Sequence, residues 1–271
     1  MKLDELSSAF IVQPGRKIQV PNFDPDFTAD FKEEESKEIL ELNRKKLEEL
    51  QLLLYAEHKY SLLIVLQGMD TAGKDGTISH VMSGVNPQSC RVVSFKMPTS
   101  EDLDHDFLWR VHKVAPSAGE IVLFNRSHYE DVLVVRVHGL VSEEVWSDRY
   151  SQINDFERIL AERGTKILKF YLDISKDEQK KRLQERLDDP SKNWKMSLND
   201  LKERELWDEY MKAYQDALVR CSTPYAPWYV IPSNKKWFRN LAISQIINEA
   251  LSSLNLSLPK PSFDVKSVKL D

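Results

Sequence analysis

The feature that most restricts what this chain can fold into is a short run, Ser-Leu-Leu-Ile-Val-Leu-Gln at 61–67, followed without a break by Gly-Met-Asp-Thr-Ala-Gly-Lys-Asp-Gly-Thr at 68–77. A run so short and so apolar predicts a strand buried on both faces of a parallel sheet. The G-x-x-x-x-G-K spacing directly after it is that of a phosphate loop when a helix follows. Its glycines let successive amides turn inward, and the helix N-terminus adds partial positive charge. An anion fits such a cup, whereas a neutral ligand gains little from it. Gly68, Met69, Asp70, Thr71, Ala72, Gly73, Lys74, Asp75, Gly76 and Thr77 are therefore the candidate cup, with Lys74 reaching the phosphate oxygens.

One position departs from the ordinary loop. Asp75 follows Lys74 where a Ser or Thr usually holds magnesium. Carboxylates at Asp70 and Asp75 would repel a phosphate unless a cation stood between, so the loop predicts Mg2+ held directly or through water.

Further strands are predicted at 91–95, 121–124, 166–172 and 228–231, and helices at 34–60, 77–82, 100–114, 142–163 and across 177–219. Strands alternating with helices predict an α/β fold in which a parallel sheet carries helices on its faces. Ser175 with Glu178 reads as a capping box, and Thr99 with Asp102 as a looser one. Residues 1–33, with Pro14, Pro21 and Pro25, read as an extended arm, and residues 258–271 as a surface tail of one domain spanning 1–271.

The strand at 121–124 runs into Asn125-Arg126-Ser127-His128-Tyr129-Glu130-Asp131, and open α/β sheets bind ligands beyond the C-terminal ends of their strands. Arg126 can fork two hydrogen bonds to a phosphate, while Glu130 or Asp131 can hold a metal or orient an acceptor. Arg136 follows as another candidate cation. For Glu130, Asp131 and Arg136, a solvated helix start with ordinary salt bridges is an equal reading. His128 reads more readily as a packed or exposed side chain than as a catalyst.

Residues 180–204 gather Lys180, Lys181, Arg182, Arg186, Lys192, Lys195, Lys202 and Arg204. Asp188-Asp189-Pro190 breaks a helix there, and Ser197 with Asp200 opens the next. Trp207, Tyr210, Met211, Tyr214 and Leu218 then form an apolar stripe, assigned to packing. Such a hairpin, 177–219, would be a lid that closes over phosphates and excludes water, with Arg182, Arg186, Lys192 and Lys195 as its functional cations.

The net charge of −5 means that a polyanion must be met by a local basic patch, and nucleic acid is not expected as a partner. Cys90 and Cys221 lack metal-ligand spacing and read as core residues of a reducing compartment. No stretch approaches the roughly 18 apolar residues of a membrane span, so no membrane partner is expected and the cytoplasm is the default location.

With GMDTAGKDG at 68–76, Phe95-Lys96-Met97-Pro98-Thr99, FNRSHYED at 124–131, DPSKNWK at 189–195 and STPYAPW at 222–228, the chain resembles the family 2 polyphosphate kinases from about residue 23 to about residue 254. The resemblance implies a three-layer α/β/α P-loop kinase fold of the thymidylate-kinase kind with a helical lid. It implies Mg2+ dependence, reversible transfer of the terminal phosphoryl group of inorganic polyphosphate to AMP or ADP, and a homodimer or homotetramer. Carried onto this sequence, it puts Asp70, Lys74, Arg126 and Glu130 at the catalytic centre, Asp70 and Glu130 on the metal, and Lys96 near the phosphates. Some members have Asp where this chain has Asn125, and Asn where it has Glu130. The present pattern resembles the subgroup that accepts both nucleoside mono- and diphosphates, with adenine nucleotides ahead of guanine nucleotides. It leaves the second metal ligand open, because an amide is a poorer magnesium ligand than a carboxylate. The residues alone also admit an ATP-dependent nucleoside monophosphate kinase and a non-catalytic nucleotide or polyphosphate sensor.

Overall fold

In the computed structural model, which describes residues 1–16, 18–20 and 23–268, Ser61–Gln67 form strand β1 and every one of them is buried. A strand with no exposed face must be covered on both sides, and β1 is accordingly the centre of the sheet. With β2 (Cys90–Ser94), β3 (Ile121–Asn125), β4 (Thr165–Asp173) and β5 (Trp228–Pro232), the order is β2-β3-β1-β4-β5. All four pairings are parallel. Leu66 lies opposite Asn125 on one side and Phe170 on the other, so β1, β3 and β4 end at one edge. That register brings the glycine loop beside the turn after β3.

The helices, in chain order, are α1 (Leu6–Phe10), α2 (Glu33–Glu57), α3 (Lys74–Val81), α4 (Ser100–Leu103), α5 (Trp109–His112), α6 (Val134–Val137), α7 (Glu143–Glu162), α8 (Lys176–Asp188), α9 (Leu198–Glu205), α10 (Trp207–Cys221) and α11 (Lys236–Ser252). Helix α11 is buried nearly all round, as a helix between a sheet and a second helix must be. It packs on α2, where Asn43 Nδ2 donates to Ser244 Oγ (3.0 Å) and Asn248 Nδ2 to the Asn43 carbonyl (2.9 Å). Helices α7 and α10 form another layer, with α7 against β4.

The arm is less extended than expected, because Leu6 and Phe10 of α1 are buried and Phe10 meets the Phe238 ring edge-on at 5.9 Å. Beyond α1 the Val12 amide donates to the Trp228 carbonyl (2.8 Å), covering the β5 edge of the sheet. Pro21, and residues 269–271 of the expected tail, lie outside the described residues.

The single helix expected over 100–114 is instead the two short helices α4 and α5. Asp106 interrupts it by accepting the Leu108 amide (2.9 Å), a local bond that competes with the helical ladder. At Thr99 and Asp102 the capping box is fully reciprocated. Ser175 accepts the Glu178 amide (3.1 Å), but the Glu178 carboxylate is engaged by Arg182 Nε (2.7 Å), so that box is only half formed.

Behind the β3 turn lies a fully buried polar knot. Lys169 Nζ of β4 donates to Glu157 Oε2 of α7 (2.5 Å), the Tyr129 hydroxyl (2.8 Å) and the Cys221 carbonyl (2.6 Å). His128 Nε2 stands 3.1 Å from Glu157 Oε1. Burial, only partly opposed by Glu157, lowers the His128 pKa and keeps the imidazole neutral. Burial raises the Glu157 pKa, yet Lys169 and His128 outweigh it and hold the carboxyl below its ordinary value. His128 is therefore a packed residue.

Asp173, at the end of β4, is 6% exposed, and burial, reinforced by Asp24, lifts its carboxyl to about 7. Its unfolded value lies near 3.8, so between about pH 4 and 7 the folded chain keeps a proton that the unfolded chain releases. This carboxyl therefore costs stability as pH rises through that window. Asp173→Asn should raise Tm more at pH 8 than at pH 5, which calorimetry at the two pH values checks. Equal shifts would mean that Asp173 titrates normally.

Candidate active site

The phosphate loop departs from β1 at Gly68, where a side-chain Cβ would stand 2.8 Å from the Leu172 carbonyl oxygen. At its other end Gly73, with φ +106°, is the N-cap of α3, and the Thr77 amide closes the first turn on its carbonyl (2.9 Å). Gly68 to Thr77 thus form a strand–loop–helix unit, with Met69, Ala72 and Thr77 buried. Lys74, the first residue of α3, curls back so that Nζ donates to the carbonyls of Gly68 (2.7 Å) and Met69 (3.3 Å). Burial lowers its pKa, while the nearby carboxylates of Asp70, Glu130 and Asp75 act in the opposite sense.

Facing the loop is the turn after β3. Arg126 adopts φ +61°, a left-handed conformation costly for a residue with a Cβ, and its amide donates to the Leu66 carbonyl (3.1 Å). The strained turn brings the guanidinium between two carboxylates. Nη2 donates to Asp70 Oδ1 (2.9 Å), and Nη1 lies 3.8 Å from Glu130 Oε2. Burial works against the Arg126 charge, but Glu130 and Asp70 outweigh it and raise its pKa. Burial likewise raises the Glu130 pKa, opposed by Arg126, Gln67 and Lys74. Gln67 Nε2 donates to Glu130 Oε1 (3.1 Å), while Gln67 Oε1 is buried without a partner. Asn125 Nδ2 donates to Asp75 Oδ1 (2.6 Å), tying the turn to the helix start.

Asp70, Lys74, Asp75, Asn125, Arg126 and Glu130 are therefore brought together, as the sequence predicts. Asp131 is not with them. Its carboxyl, raised by burial to about 6, is engaged by Arg149 (3.1 Å) and Arg110 (3.8 Å). Arg136 follows its ordinary salt-bridge reading: it bonds Asp216 (2.6 Å) and the Tyr150 hydroxyl (3.1 Å) and stacks over Trp146 in the seam of α6, α7 and α10. Lys96 is exposed beyond β2.

The lid cations also separate. Arg182, 5% exposed, is a correction to the expected phosphate contact, because it bonds the carbonyls of Thr71 (2.9 Å), Ala72 (3.3 Å), Ser233 (2.7 Å) and Asn234 (2.9 Å). Its Nη1 braces the loop from behind, while Nη2 holds the segment after β5 and Nε pairs with Glu178. Arg186 reaches across the lid to the Lys195 carbonyl (3.2 Å) and Asp200 (3.4 Å). Lys192 pairs with Asp189 (2.7 Å), and Lys195 lies over the Trp194 ring (5.1 Å).

Several site residues were not singled out for function. The Asp200 carboxyl of α9, which accepts from Arg186 (3.4 Å), is raised by burial and then by the charge of Asp70, although its local signal is only a helix cap. Tyr214 borders Glu130 and Arg126, with its hydroxyl at the Gly68 amide. The tyrosines of the α10 stripe, Tyr210 and Tyr214, thus border the site as well as packing. Gln67 carried no signal beyond the last position of a strand. A cavity of about 1130 Å³ lined by Ile11, Phe23, Trp207 and Met211 lies between the arm and α10, and no phosphate-loop residue lines it. Side-chain chemistry, not cavity size, marks the site.

Residues 30–258 match the family described as Polyphosphate kinase 2. The chain belongs to the polyphosphate kinase 2 family. It is therefore a kinase, carried on a P-loop kinase fold. The chain is 54% identical over 252 residues to an AMP/ADP-polyphosphate phosphotransferase of Meiothermus ruber, covering 92% of this chain and 94% of that one. It is 44% identical over 267 residues to an ADP-polyphosphate phosphotransferase of Rhodopseudomonas palustris, covering 93% and 91%. The crystal structure of a polyphosphate kinase 2 from Arthrobacter aurescens TC1 superposes with a TM-score of 0.91 at 47% identity, covering 94% of this chain and 93% of that one.

Proposed function

We propose that this polyphosphate kinase 2 member moves the terminal phosphoryl group of inorganic polyphosphate to AMP and ADP, reversibly. The observation that carries the reading is the meeting of an amide cup and Lys74 with Arg126 held between Asp70 and Glu130. Its relatives' names support the choice of donor and acceptors. The acceptor is a phosphate already ionised at neutral pH, so no general base is required. Catalysis reduces to positioning and charge neutralisation. Lys74, released from the Gly68 and Met69 carbonyls, turns to the donor phosphate. Arg126 forks onto the transferring group, and the lid, joined through Arg186 and Asp200, excludes water.

Asp70 and Glu130 suit Mg2+. Among the described residues no group of three or more acidic, His or Cys side chains forms a complete metal site, so water and phosphate oxygens would fill the remaining positions. The unpartnered Gln67 Oε1 beside Glu130 would add an oxygen acceptor to the residues that would hold the ion. Mg2+ held there would supply neutralisation of phosphate charge. The assembly is proposed to be a homodimer or homotetramer working in the cytoplasm.

Purified protein with Mg2+ and polyphosphate should convert AMP to ADP and ADP to ATP, followed by nucleotide chromatography. Omitting polyphosphate and supplying ATP with AMP separates an ATP-dependent monophosphate kinase. Absence of product from either acceptor would refute the proposal, and any polyphosphate-dependent turnover excludes a mere sensor.

A further inference from the structure

Helix α11 carries a charge that the chemistry above does not use. Arg239 is 2% exposed, directly beneath the phosphate loop, where Nη1 donates to the Ala72 carbonyl (3.0 Å). Its Nε and Nη2 go to Asn240 Oδ1 (3.2 and 3.0 Å). Arg182 beside it has Glu178 as a counter-charge, but among the described residues Arg239 has no ion pair, and the charged neighbour acting on it is Arg182 itself. Burial and then Arg182 push its pKa down to about 9, so the guanidinium remains charged at neutral pH.

An isolated buried cation is costly, and an apolar side chain of similar size in its place is often neutral or stabilising. Packing alone gives no reason for an arginine here, whereas the loop does. A Cβ at Gly73 would stand 1.8 Å from Arg239 Nη1, and one at Gly76 would stand 3.3 Å from Nη2. Gly73 is thus glycine for the guanidinium behind it as well as for its own φ of +106°. With no side chain between, the charge lies against the back of the cup. The planar trans peptide adds direction: the Ala72 carbonyl points back to Arg239, so the Gly73 amide points the opposite way.

We propose that Arg239 is a positioning residue for phosphate binding, aiming the Ala72–Gly73 peptide and supplying positive charge through the loop to an anion that it does not touch. The missing counter-charge of Arg239 is the terminal phosphate of the bound donor, and the inference rests on the loop being the phosphate site.

The test uses Arg239→Met and Arg239→Lys, with tripolyphosphate binding measured by calorimetry and KM and kcat measured with polyphosphate. For Arg239→Met, the ligand-free Tm should be unchanged or higher, tripolyphosphate affinity at least tenfold weaker, and KM raised more than kcat is lowered. Arg239→Lys, which keeps the charge, should recover most of the affinity. If Arg239→Met does not fold, Arg239→Gln takes its place under the same criteria. Affinity within twofold of wild type in the neutral variant, or an equal loss in Arg239→Lys, overturns the proposal. A wild type that binds tripolyphosphate but never turns over AMP or ADP sinks the proposed function and leaves this inference standing. A wild type that does not bind tripolyphosphate overturns both.

Discussion

Lys74→Ala is expected to lower kcat for polyphosphate-dependent ATP formation by about 10²–10³-fold, the usual loss when one preorganised donor to a developing anion is removed. The ligand-free fold should hardly notice. Among the described residues Lys74 Nζ bonds only the carbonyls of Gly68 and Met69. Those carbonyls can turn to water once the side chain is gone. Arg126 stays anchored by Asp70, so the residual rate reports the amide cup and Arg126 without the lysine. Steady-state kinetics together with a melting curve test both halves. Turnover within a few-fold of wild type would remove the loop lysine from the chemistry, and a large fall in Tm would show that it is structural.

The largest stability effect is expected at Lys169→Met, a loss of about 3–5 kcal/mol. The substitution leaves Glu157 fully buried without its cation, and it unties β4 from α7, Tyr129 and the end of α10. The double variant Lys169→Met/Glu157→Gln should regain much of this loss, because the stranded charge goes with its partner. Urea unfolding of the single and double variants decides it. A single variant within about 1 kcal/mol of wild type would mean that the pair contributes little. Tyr129 precedes Glu130, so loosening the knot should also lower activity in the folded fraction.

Much of the site was legible because its signals are local. The loop from Gly68 to Thr77 announces itself through glycine spacing after an apolar strand, and the turn from Asn125 to Asp131 through its place at a strand end. The strands were readable to within a residue, and for β1, β3, β4 and β5 burial on both faces leaves the apolar signature that made them so. Residues 100–114 misled because helix periodicity does not reveal that Asp106 will bond a nearby amide.

The cations of residues 180–204 mark the opposite limit. In the sequence Arg182 and Arg186 are equivalent members of one basic cluster, yet Arg182 reaches carbonyls at Thr71 and Ala72 while Arg186 crosses to Asp200. Arg239, in no motif, lies against the loop because α11 returns beneath it. Which backbone segments make strand, loop and helix could be read from the residues in order, as could the expectation of an anion at Lys74, because both arise from neighbours along the chain. Which arginines face the loop and which lie behind it depended instead on how the chain folds. A guanidinium has no sequence-encoded partner, and the carbonyls and carboxylates that claim its donors come from segments brought together by folding.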